Sequence, residues 1–107
     1  LIAHIEHAIK VCGEDHVGLG TDGTVPAMDD MPAYMERHRK DVERRRQLGI
    51  NAPGERADIV TFLPDLAGPT MFMRLADLLA KRGHKSARIE KVLGMNFLSV
   101  AERVWGA

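Results

Sequence analysis

His16-Val17-Gly18-Leu19-Gly20-Thr21-Asp22-Gly23 is the stretch on which the fold of this 107-residue chain turns. Val17 to Gly20 is a run of small and apolar residues, with Glu14-Asp15 before it and Thr21-Asp22-Gly23 after it. A short apolar run bounded by turn chemistry predicts a strand buried on both faces. Glycines at alternate positions weaken a strand, and they mark places where another backbone or a ligand comes close. A buried strand must pair its N–H and C=O groups with neighbours. Nothing else in the chain reads as a partner strand, apart from Ile59 to Leu63, which fits either a short strand or an extended strip before Pro64.

Working outward, the rest of the pattern is helical. Ile2, Ile5, Ala8, Ile9 and Cys12 recur at helical spacing, and Gly13 follows as a C-terminal cap. Met31 to Leu48 is helical but very polar, with Met35, Val42 and Leu48 as its apolar anchors and Gly49 ending it. Residues 50–58 are loop by composition, with a turn at Pro53-Gly54. Pro69 fits the first turn of a helix in which Met71, Leu75, Leu78, Leu79 and Arg82 share a face, with Gly83 as its stop. Ser86 is the expected N-cap of the next helix, with Ile89, Val92 and Leu93 inward and Gly94 closing it. A last helix runs from about Met95 to Trp105, with Phe97, Leu98, Ala101, Val104 and Trp105 on one face. One strand among so many helices leaves two readings. Either the chain is helical throughout, or its sheet partners lie in residues outside it, and the second is the better expectation.

Composition narrows the function. Fifteen basic and fifteen acidic side chains give a formal net charge of zero, without the basic excess of a nucleic-acid binder. With 45% hydrophobic residues the chain is not a disordered segment. A single cysteine, Cys12, excludes an internal disulfide framework. No apolar run approaches the roughly 20 residues that span a bilayer. The chain opens on Leu1, inside a helical pattern, and reads as a piece of something longer.

A buried strand ending in a carboxylate has the geometry of barrel enzymes, whose reactive groups sit at the strand tips. An Asp-Gly pair after a strand is also a common turn former. Four stretches together go further: His4 to Gly23, Leu63-Pro64-Asp65-Leu66, Leu75-Ala76-Asp77-Leu78-Leu79-Ala80-Lys81-Arg82-Gly83, and Ile89-Glu90-Lys91-Val92-Leu93-Gly94-Met95-Asn96-Phe97-Leu98-Ser99-Val100. They resemble the C-terminal portion of the renal (membrane) dipeptidase family of zinc peptidases, over about two-thirds of the chain. The resemblance implies a C-terminal fragment of a (β/α)8 TIM barrel, mostly α-helical with one or two short strands. Residues 16–22 would be the last strand of an incomplete barrel domain spanning 1–107. It implies hydrolysis of dipeptides with two bridged zinc ions, whose ligands lie on earlier strands and upstream of this chain. Only Asp22 is carried over: it matches the aspartate at the tip of the final strand, which faces the bridging water and assists proton transfer. Further implied partners are the missing N-terminal barrel portion and a second copy, through surface meant for the rest of a barrel.

The sequence departs from the family pattern between Asp22 and Leu63. About 40 residues stand where the family has a short loop, an insertion at about 24–62 that would emerge at the catalytic mouth and shape substrate choice. The alternative to a peptidase is a non-catalytic helical interaction or structural module, or a barrel homologue without activity.

The remaining candidates read as structural. His16 precedes the strand, His38 sits in a charge-rich helix and is expected to be exposed, and His84 follows the helix-ending Gly83, where it suits the helix dipole. Arg44-Arg45-Arg46 is accompanied by Glu36, Asp41 and Glu43, the mixed pattern of a solvated face. The methionines are expected to fill core gaps, Cys12 to be buried, and Asn96 to cap or turn. His4 and His7 are spaced to share a metal but have no third ligand nearby. Calorimetric titration of the 107-residue chain with zinc is therefore expected to show no tight, stoichiometric binding. A tight one-to-one isotherm would point first to His4 and His7.

Overall fold

The computed structural model describes residues 1–21 and 29–106. Among them every regular element is helical: α1 (Ile2–Cys12), α2 (Met31–Gln47), α3 (Met71–Lys81), α4 (Ser86–Glu90) and α5 (Asn96–Trp105). Single 3-10 turns lie at Glu14–His16 and Pro64–Leu66, and a π-type turn over Lys91–Met95 joins α4 to α5. No helix among the described residues is long and apolar enough to cross a membrane. The chain divides into two compact units, one made of Leu1–Thr24 with Thr70–Ala107, the other of Val25–Pro69.

This corrects the expected fold. The described residues contain no strand, so a (β/α)8 barrel fragment with a last strand over 16–22 is not what forms, and Ile59 to Leu63 is not a strand either. The physical reason is pairing. A strand exists only as part of a hydrogen-bonded ladder, and among the described residues no second strand lies alongside Val17 to Gly20 to build one. Val17 does take extended dihedrals (φ −114°, ψ 128°). Its side chain is buried and Leu19 packs against the same core, while Gly18 and Gly20 lie off that core. The period-two alternation is thus real, but it lays a single extended strip on helices.

The first unit closes around Ile5 of α1, Val17 of the strip, Leu75 and Leu79 of α3, Ile89 of α4 and Val92 of the π-type turn. These residues come from five separate segments, so the core draws the two ends of the chain together. Gly13, with φ at 83°, ends α1 and lets its own N–H reach the Ile9 carbonyl. Between α4 and α5 the backbone leaves helical geometry at Gly94 (φ 176°, ψ −33°). The two helices are separated at Gly94, as expected, and α3 starts at Met71, after Pro69.

α5 has no fully buried residue. Phe97, Leu98, Val100, Val104 and Trp105 are all exposed.

The second unit is organised by α2. Asp30 caps its N-terminus by accepting a hydrogen bond from the Ala33 N–H at 2.9 Å, which supplies one of the orphan donors of the first turn. Pro32 occupies that same turn, where no N–H is needed. Val42 is buried as expected, and so is His38, which the charge pattern had placed in solvent. The His38 ring stacks on Tyr34 with centroids 5.9 Å apart, and Tyr34 meets the Phe62 edge at 5.2 Å. Aromatic contact supplies the apolar surface that the polar face of this helix lacks. Arg45 donates through Nε and Nη2 to the same oxygen of Glu55, Oε1, tying the loop after α2 back to the helix.

Leu78 and Leu79 are neighbours on the apolar pattern of α3, yet their side chains differ: Leu79 is 2% exposed and Leu78 39%. Leu79→Ala should cost about 2–5 kcal/mol, the lost transfer energy plus the cavity left behind. Leu78→Ala should cost less than half as much. Urea unfolding midpoints of the two variants, compared at an unchanged slope, test the difference.

Candidate functional site

Asp22, the one residue to which a catalytic role was carried over, lies outside the described residues, as does Gly23. The structure describes the segment that leads to it, from the Glu14–His16 turn through Thr21. Three sets of side chains hold that segment.

The first is Asn96, at the start of α5. Its Nδ2 donates to the Glu14 carbonyl at 2.7 Å and to the Val17 carbonyl at 2.8 Å. An amide NH2 has two hydrogens, and both are used here. Asn96 is therefore not a simple cap or turn former. It acts across 79 residues of sequence in the bond to Val17. The only sequence signal was its place two residues after Gly94, since the partner carbonyls belong to a distant segment.

The second is Phe97, whose ring lies over Gly18. A Cβ at Gly18 would run into ring atoms Cε2 and Cζ, so this glycine is required by close approach. Gly20, in contrast, faces open space. The glycine spacing predicted an approach, and the group that approaches is an aromatic side chain.

The third set is ionic. Glu14 accepts from Arg88 Nε at 2.6 Å and from Lys91 Nζ at 3.0 Å, and Lys91 also reaches Asp15 at 2.7 Å. Nearer the start of the chain, Glu6 of α1 accepts from Arg82 through Nε at 3.2 Å and Nη2 at 2.8 Å. His84 bridges the two groups. Its Nε2 lies 3.2 Å from Glu6 Oε1 and its Nδ1 lies 3.4 Å from Arg88 Nη1. Arginine can only donate, so Nδ1 accepts and Nε2 carries the proton to Glu6. His84 is thus a linker between α1 and α4, beyond any response to the helix dipole.

The other candidates are dispersed. His16 Nδ1 lies 3.0 Å from the Cys12 carbonyl, at the end of α1. Cys12 is exposed, against the expectation of burial. His4 and His7 are exposed on α1. Among the described residues no group of three or more His, Cys, Asp or Glu side chains is placed to hold a metal ion. The described residues therefore do not supply a ligand set for the zinc that the family resemblance implies.

The hydrogen bonds from Arg88, and then from Lys91, hold the Glu14 carboxyl below its ordinary value of 4.5. Glu6 is lowered in the same way, by Arg82 first and His84 second. A carboxylate lowered in the folded state contributes stability that is present above its unfolded value. That contribution is lost as pH falls through the folded value. Stability of the chain should therefore decline on acidification below about pH 4.5. Glu14→Gln should make that decline shallower, measured as urea midpoints from pH 6 down to pH 3. No protein-family model, curated protein or solved structure matches this chain.

Proposed function

We propose that this chain is the C-terminal portion of a metal-dependent dipeptidase and that Asp22 is its proton-transfer group. One observation supports the reading above the others. Three of the four stretches that resemble the dipeptidase family, those within the first unit, interlock in space although they are far apart in sequence. Arg88 and Lys91 hold Glu14, Asn96 holds Glu14 and Val17, Phe97 covers Gly18, and Arg82 and His84 hold Glu6. The contacts to Glu14, Val17 and Gly18 hold the segment that precedes Asp22, and those to Glu6 hold α1. Residues kept only as turn formers would not need such a frame.

The chemistry assigned to this chain is the carboxylate's. In amide hydrolysis the water oxygen adds to the carbonyl carbon and gives up a proton, the C–N bond breaks, and the leaving amine takes a proton. An ionised aspartate beside the reacting water can accept the first proton and deliver it to the amine nitrogen. Zinc has no ligand set among the described residues, and none of these proton transfers is assigned to it.

A second reading has its own support. The apolar face of α5, with Phe97, Val104 and Trp105 exposed, suits a helical interaction module. The two readings separate on one variant. In the full-length, metal-loaded protein Asp22→Asn keeps the side-chain shape and removes the proton acceptor. It should lower kcat for dipeptide hydrolysis by roughly 10²–10⁴-fold while leaving metal content unchanged. Wild-type turnover in Asp22→Asn, or no dipeptide hydrolysis by the wild-type protein, would sink the proposal in favour of the interaction module.

A further inference from the structure

We infer that the exposed face of α5 pairs with the α5 of a second copy of this chain, antiparallel about a two-fold axis through Ala101, whichever role Asp22 has. A helix as short as α5, with its ten residues, is marginal in water by itself, and helices in proteins draw most of their stability from packing an amphipathic face. α5 has such a face but no fully buried residue. Phe97, Leu98, Val104 and Trp105 are all exposed, Trp105 at 82%. At 3.6 residues per turn these four and Ala101 share one side of the helix, with Ala101 in the middle. Ser99 and Arg103 fall on the opposite side, where Arg103 Nε donates to the Ser99 carbonyl at 3.2 Å.

The order of residues along the face names its occupant. Read from Ala101 in either direction, it meets an aliphatic side chain three residues away and an aromatic one four residues away. These are Leu98 and Phe97 one way, Val104 and Trp105 the other. A two-fold axis through Ala101 therefore sets Phe97 of one copy against Trp105 of the other, and Leu98 against Val104, each contact occurring twice. An isologous interface uses one patch on both copies in this way, and a partner of different sequence would gain nothing from the symmetry. Aromatic pairs add to the energy of the area they bury, and a small residue at the crossing point lets two helix axes come close. Glu102, at the margin, is set by the same axis against Val100, so the two Glu102 carboxylates lie on opposite sides of the seam. The exposed parts of Phe97 and Trp105 come to roughly 200–350 Å², at about 150–250 Å² for an aromatic side chain. With Leu98, Val100 and Val104 each face offers on the order of 500 Å², and two faces about 1,000 Å². That is the size at which a specific interface begins, so the dimer is weak and depends on concentration.

Sedimentation velocity of the 107-residue chain over about a hundredfold dilution tests the pairing. With rising concentration the chain should pass from monomer to a species of two copies and stop there. Ala101→Glu places a good helix former on the monomer surface and two like charges at the axis. It should leave only monomer at the same concentrations, with the far-UV circular dichroism of wild type. Trp105→Ala should weaken dimerisation about 10–100-fold, as the loss of an aromatic anchor does. If Ala101→Glu does not fold, Trp105→Ala is read alone. Cysteines report the register. In a Cys12→Ser background, Ala101→Cys should cross-link to its own copy under oxidised glutathione, and Ser99→Cys, on the far side of the helix, should not. None of these readouts involves turnover, so they stand or fall apart from the test of Asp22. Monomer at every concentration overturns the pairing and hands the face to a partner of different sequence. Dimers unaffected by either variant, species that keep growing with concentration, or cross-linking through Ser99→Cys as readily as through Ala101→Cys overturn it as well.

Discussion

An extended segment that has no sheet must still satisfy its backbone. That constraint governs the first unit, because unpaired carbonyls at the edge of an apolar core are costly. Asn96 answers it with two hydrogen bonds to the Glu14 and Val17 carbonyls. Much of the surrounding structure follows from where Asn96 has to stand. The chain reaches it through a turn that departs from helical geometry at Gly94. The next residue, Phe97, then falls over Gly18, the one position of the strip that tolerates no side chain. A backbone requirement thus couples a glycine near one end of the chain to an asparagine and an aromatic ring near the other.

The ionic groups around this frame orient it more than they stabilise it. Glu6 and Glu14 each accept from two basic partners, and His84 joins the two sets through a defined tautomer. The side chains of Arg82 and Arg88 are exposed and their partners only partly buried, and ion pairs near the surface contribute little individually. Their value is geometric. They set α1 against the turn after α3 and the Glu14–His16 turn against α4 and the π-type turn, leaving energy to Ile5, Val17, Leu75, Leu79, Ile89 and Val92. The core supplies attraction without direction, and the charges with Asn96 supply direction.

The second unit solves a different problem with the same means. Its principal helix is too polar to bury a broad stripe. It concentrates burial at Val42 and His38 and adds the Tyr34–Phe62 contact. The Arg45–Glu55 pair, half shielded from water, closes the following loop onto the helix. This unit contains most of the stretch where the sequence departs from the dipeptidase pattern it resembles, and it has its own local reasons to fold.

The sequence by itself determined where the helices lie and which faces of them are apolar. Ile5, Leu75, Leu79, Ile89 and Val92 are buried where the 3.6-residue period put them, because that period is a local property of the chain. It also marked Gly18 and Gly20 alike as places where a backbone or ligand comes close, whereas only Gly18 is approached, by a side chain, and it drew attention to Asp22, which lies beyond the described residues. Tertiary structure alone decided the rest. Val17 to Gly20 has the composition of a strand, but pairing is a non-local property, and without a neighbour the segment became a strip on helices. His38 has polar sequence neighbours, yet it is buried because Tyr34 stacks on its ring. Asn96 looks like an ordinary turn residue, and its role became visible only when the carbonyls of Glu14 and Val17 came within reach of its amide. Periodicity reports the direction in which a side chain points, and the atom it will meet depends on how distant segments fold together.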